Sequence, residues 1–84
     1  MTKKQQLVVI NKMKETIGFI RDAEKNEDYF FPAEKIKSNM GNYFTGLAFA
    51  LEAATDNEYH WSNNENGWAL VIQSQGKEDE YQYI

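Results

Sequence analysis

Apolar positions near the start of the chain recur at helical spacing. Ile10, Met13, Ile17 and Ile20 follow one another at steps of three, four and three, one stripe of an amphipathic helix. Thr2-Lys3-Lys4-Gln5 precedes them with the spacing of a capping box. The pattern predicts a first helix over 3–24, in which Gly18 costs about 1 kcal/mol relative to alanine. Lys25-Asn26-Glu27-Asp28 breaks the stripe, and Tyr29-Phe30-Phe31 is short and strand-prone. Pro32 suits the first turn of a second helix, where its missing N–H is not needed, and Glu34 in that turn complements the helix dipole. Ile36 and Met40 are four apart and share a face. The second helix therefore covers at least 32–40, and Gly41-Asn42 offers it a stop.

The following stretch, YFTGLAFALEAAT over 43–55, fits two periods. At helical spacing Met40, Phe44, Leu47, Leu51 and Ala54 align; at period two Leu47, Phe49, Leu51 and Ala53 share a face. Its Ala, Leu and Glu favour a helix running on to about 55. Beyond it, Glu58-Tyr59-His60-Trp61 reads as a strand and Ser62 to Gly67, SNNENG, as a turn closing on Asn-Gly. Trp68 to Gln73 is the strongest strand, Ser74-Gln75-Gly76-Lys77 a second turn, and Glu78 to Ile84 a final strand. The expectation is an α+β fold in one domain over 1–84, with two helices packed on an antiparallel sheet that ends in a hairpin over 68–84.

A chain of 84 residues buries roughly 60% of the surface it exposes when unfolded, which leaves room for one core and little for an enclosed active site. It contains no cysteine, which excludes a disulfide framework and thiolate metal sites and suits a reducing cytoplasm. The apolar run Leu7-Val8-Val9-Ile10 is too short for a signal segment or a membrane span. The expected location is therefore the cytoplasm, with no membrane partner. Net charge is −4 and unevenly placed: residues 1–51 hold eight basic and six acidic side chains, whereas 52–84 hold one basic residue, Lys77, and seven acids. An acidic half repels nucleic acid and attracts basic surfaces.

Catalytic chemistry finds little support. His60 is the single histidine, so a multi-histidine metal site is excluded. Ser62 and His60 are neighbours in one strand and turn, whereas triads are assembled from separated elements. Glu78, Asp79 and Glu80 form an acidic cluster without the EF-hand pattern, and the glycines make no phosphate-binding loop. No enzyme activity and no cofactor are expected. Lys12, Lys14, Arg21, Lys35 and Lys37 are interleaved with Glu15, Asp22 and Glu34, an ordinary solvated helix surface rather than a nucleic-acid patch. What remains is protein recognition. Trp61, Trp68, Tyr59, Tyr81 and Tyr83 crowd the last third, and Trp and Tyr are enriched both at interface hot spots and in small sheet cores. In a strand starting at Glu78, the Glu78 and Glu80 carboxylates would share a face about 6.8 Å apart, the order of the spacing between successive phosphates.

The run Trp68-Ala69-Leu70-Val71-Ile72-Gln73, WALVIQ, followed by a short Gly-containing turn and a last strand, resembles the C-terminal hairpin of the phage uracil-DNA glycosylase inhibitor family. The match covers about a fifth of the chain. EDYFFPAEKI, from Glu27 to Ile36, has a similar outline to the family's acidic edge strand leading into a helix, and ATDNEY, from Ala54 to Tyr59, resembles its acidic turn. Lys35 and Lys37 depart from the family, whose helix is mostly acidic there, and the overall charge is milder. The resemblance implies a DNA mimic that blocks the basic DNA-binding groove of uracil-DNA glycosylase in a host cytoplasm. Carried over, Glu27, Asp28 and Glu34 would be phosphate mimics, joined by the acidic pair Glu78 and Glu80. Ile36, Met40 and Val71 would line an apolar pocket for a leucine of the enzyme. It also implies a strand, not a helix, over 43–54. The alternative is an acidic regulatory or interaction domain for a different protein partner.

Overall fold

The computed structural model describes residues 1–25 and 33–84, apart from the side chains at 33, 34 and 36. Two helices, α1 (Lys3–Lys25) and α2 (Ala33–Thr55), precede three strands, β1 (Glu58–Asn64), β2 (Gly67–Gln73) and β3 (Glu80–Tyr83). The strands form one antiparallel sheet in the order β1-β2-β3. The helices lie side by side on it, α1 over β2 and α2 over β1. This is the α+β arrangement that the sequence pattern predicts.

The capping box starts α1 as its spacing requires. Gln5 N donates to Thr2 Oγ1 at 3.1 Å, and Thr2 N donates to Gln5 Oε1 at 2.8 Å. Met13, Ile17 and Ile20 are buried, with Val9 and Ile10 half-buried behind them. The predicted stripe is therefore the core face. Thr16 is buried among them without an orphaned hydroxyl, because its Oγ1 donates to Lys12 O at 2.7 Å.

The ambiguous stretch over 43–55 is helical throughout, so α2 passes Gly41-Asn42 without stopping. This agrees with propensity and differs from the strand that the hairpin resemblance implies. The buried residues explain the choice. Phe44, Ala48 and Leu51, at steps of four and three, face the core, whereas Phe49, a member of the period-two set, is 67% exposed. A strand here would have turned the wrong residues inward. Asp56 ends the helix in the left-handed region at φ 61°, which aspartate tolerates better than most residues.

Strand boundaries differ from expectation at both hairpins. β1 runs three residues past Trp61, because Ser62, Asn63 and Asn64 pair with Ala69, Trp68 and Gly67. The connecting turn shrinks to Glu65-Asn66, where Asn64 Oδ1 accepts the Asn66 N–H at 2.8 Å and Gly67 takes φ 116°. β3 starts at Glu80 rather than Glu78. Its register sets Glu80 opposite Ile72, so Glu78 would need a partner at Ser74. Ser74 already opens the next turn: its carbonyl accepts from Lys77 N at 3.1 Å, and Gly76 supplies φ 76°. The strand expected at 29–31 lies outside the described residues.

The core is one cluster of Met13, Ile17, Phe44, Ala48, Leu51, Tyr59, Leu70 and Ile72. Leu51 is fully buried at its centre. Leu51→Ala should lower the unfolding free energy by about 2–5 kcal/mol, measured by urea denaturation. A loss below about 1 kcal/mol would mean that α2 does not dock on the sheet in solution.

Candidate interaction surfaces

Register decides which sheet face each side chain occupies. Tyr59 and Trp61 lie opposite Ile72 and Leu70 and turn toward the helices. The intervening residues turn away: Glu58, His60 and Ser62 on β1, Ala69, Val71 and Gln73 on β2, Tyr81 and Tyr83 on β3. On this outer face the two tyrosine rings stack at 6.1 Å and remain nearly half exposed. Tyr83 reaches across β2 to accept a hydrogen bond from Asn64 Nδ2 at 3.4 Å. That reach accounts for the burial of Ala69 beneath it, on the face turned away from α1 and α2. Val71, flanked by His60 and Tyr81, is only 5% exposed.

The acidic corner lies where β2 hands over to β3. Glu78, Asp79 and Glu80 are all exposed. Asp79 Oδ2 accepts from Gln73 Nε2 at 3.3 Å, and Glu80 Oε2 accepts from Gln82 Nε2 at 2.9 Å. Glu78 precedes the strand, so the two glutamates are not the pleated pair that the sequence reading expects. Glu27 and Asp28 lie outside the described residues, as do the side chains of Glu34 and Ile36. Met40 is half-buried in a groove built by the two helices, with Phe19 and Tyr43 beside it. Val71 sits on the far side of the sheet. The structure therefore does not bring Met40 and Val71 into one pocket.

A second surface was not singled out from sequence. A cleft of about 360 Å³ separates α2 from β1, lined by Phe44, Thr45, Ala48, Phe49 and Glu52 on the helix and by Tyr59, His60 and Trp61 on the strand. Glu52 Oε1 spans it to accept the Tyr59 N–H at 3.4 Å. Trp61 stacks on Trp68 at 5.5 Å, and the Lys37 ammonium lies 5.8 Å from the Trp61 ring while donating to Glu24 Oε1 on α1 at 2.9 Å. One signal of this cleft was legible: Phe49 is a large aromatic off the buried stripe of its helix. Glu52 gave none, because only the fold carries it to the strand.

His60 Nε2 is 3.5 Å from Glu58 Oε2 on the same strand, and both side chains are more than half exposed. Among the described residues no three His, Cys, Asp or Glu side chains are placed to hold a metal ion, and no helix is long and apolar enough to cross a membrane. Such surfaces offer hydrogen-bonding edges, aromatic faces and fixed negative charge, the means of recognition between macromolecules. Compared with protein-family models, curated proteins and solved structures, the chain finds no match.

The Glu52 bridge can be tested directly. Glu52→Ala should cost about 1 kcal/mol or less and speed hydrogen exchange of the Tyr59 amide, with the Leu70 amide following global stability. Unchanged exchange at Tyr59 would show that the bridge is not formed in solution.

Proposed function

We propose that the protein is a binding module, not an enzyme, and that it recognises a basic protein surface through the sheet layer. One observation carries this reading: charge is sorted by layer. Residues 58–84 hold five carboxylates and one cation, Lys77, whereas α1 holds six basic and three acidic side chains. The same layer carries the stacked tyrosines of β3, with Glu78, Asp79 and Glu80 next to them in the chain; the tyrosine ring faces attract Lys and Arg side chains once water is displaced. Charge placed this way steers a cationic partner to one side of the molecule and selects against anionic ones.

The particular target proposed for testing is uracil-DNA glycosylase, with Glu78, Asp79 and Glu80 standing in for phosphates in its DNA groove. The WALVIQ hairpin supports this target; the continuous α2 does not, since it replaces a strand of the family's pattern. The second reading keeps the same surface for a different basic protein in the cytoplasm.

Titrating the protein into a uracil-excision reaction separates the two. Inhibition at micromolar concentration, weakened at least about tenfold by changing Glu78, Asp79 and Glu80 together to Gln, supports the glycosylase. Full excision at that concentration removes it as the target.

A further inference from the structure

β1 is an edge strand, and the hydrogen bonds show which of its backbone groups face outward. The Tyr59 N–H goes to Glu52 rather than to β2. At the other side of β2, Ile84 N donates to Trp68 O at 2.9 Å, so Trp68 turns its backbone toward β3 and away from its β1 neighbour Asn63. Antiparallel pairing alternates. The N–H and C=O groups of Trp61 and Asn63 therefore point away from β2, with no further strand beyond them among the described residues.

Sheet edges are ordinarily blunted by shortness, proline, lysine or a bulge. β3, with four residues, is short. β1 has seven residues, EYHWSNN, no proline or lysine, and an unbroken one-to-one register with β2. Its open edge runs beside the cleft under α2, whose lip is the exposed Phe49. Among the described residues the charge at this edge is mainly acidic, with the Lys37 ammonium over the Trp61 ring. Glu52 stands in the cleft, Glu58 begins the strand and Glu65 follows its end, while Lys37 is engaged by Glu24.

We propose that β1 accepts an added strand: an extended segment of a partner protein in which apolar and basic residues alternate. Its backbone pairs with Trp61 and Asn63. Its apolar side chains enter the cleft against Phe44, Ala48 and Phe49, and its lysines or arginines lie on the other face near Glu58. Main-chain pairing supplies affinity, and the alternating side chains supply choice. This deepens the reading of the protein as a binding module and supplies its mode of recognition; it does not depend on the glycosylase, whose rejection in the excision assay would leave it standing.

The test uses the whole protein and a blocked synthetic peptide of about seven residues alternating lysine and leucine, the length of β1. Binding should be saturable and should slow hydrogen exchange at the Trp61 and Asn63 amides but not at Tyr81 and Tyr83. A glutamate–leucine peptide should bind at least about tenfold more weakly. Asn63→Pro removes an outward donor without breaking the β1–β2 ladder, and Phe49→Ala trims an exposed lip; each should weaken binding at least about tenfold. Should Asn63→Pro fail to fold, Phe49→Ala carries the test. Equal affinity for the two peptides, protection at β3 instead of β1, or wild-type affinity in folded variants overturns the proposal. So does a free protein that sediments as a dimer with its Trp61 and Asn63 amides already protected, since a second copy would then own the edge.

Discussion

Leu70 and Ile72 point from the middle strand into the space between sheet and helices, where Met13, Ile17, Phe44 and Leu51 close over them. Each such side chain contributes on the order of 1.5–3 kcal/mol by leaving water, and these contacts are what hold the two layers together. The arrangement has a geometric consequence. Two helices cover one face of a three-stranded sheet, so the opposite face and both edges are left for other devices. Tyr83, reaching over Ala69 to Asn64, is one; the shortness of β3 is another. At β1 the only device visible among the described residues is the Glu52 carboxylate, which satisfies one outward N–H and leaves those beyond it open.

The elements were legible wherever a single period dominated. The α1 stripe and its capping box read correctly because the helix is amphipathic and its cap is local. The 43–55 stretch fitted two periods, and helix propensity chose rightly, as the burial of Phe44, Ala48 and Leu51 shows. Strand ends were less legible because pairing sets them. Asn63 and Asn64 are poor strand formers, yet the β2 register carries both into the strand, opposite Trp68 and Gly67. Glu78 reads as strand by alternation but has no free partner, since Ser74 already belongs to a turn.

The candidate site was hardest to read where a face had to be assigned. WALVIQ is apolar without alternation, so its period cannot say whether Leu70 or Val71 turns inward, and one position's error moves a side chain to the other side of the sheet. The hairpin resemblance groups Val71 with Met40, and the register sets them on opposite sides of the sheet. The cleft beneath Phe49 was hidden for a different reason. Its two walls lie in separate elements, and Glu52 meets Tyr59 only because the Asp56-Asn57 corner folds the strand back along the helix.

The same facts bear on what the hairpin resemblance can carry. A central strand with helices on one face and tyrosines on the other is buried on both sides, as Ala69, Leu70, Val71 and Ile72 are. A middle strand in that position calls for a continuous apolar run with β-branched members, whatever the protein binds. WALVIQ therefore identifies a place in an architecture more strongly than it identifies a target. Specificity for a partner has to come from groups that the core does not dictate. In this molecule those are the exposed acids at the β2–β3 corner, the half-exposed tyrosines, Phe49, and the outward amides of β1. None is required by packing, and three of the four lie in the sheet layer, where the negative charge is concentrated.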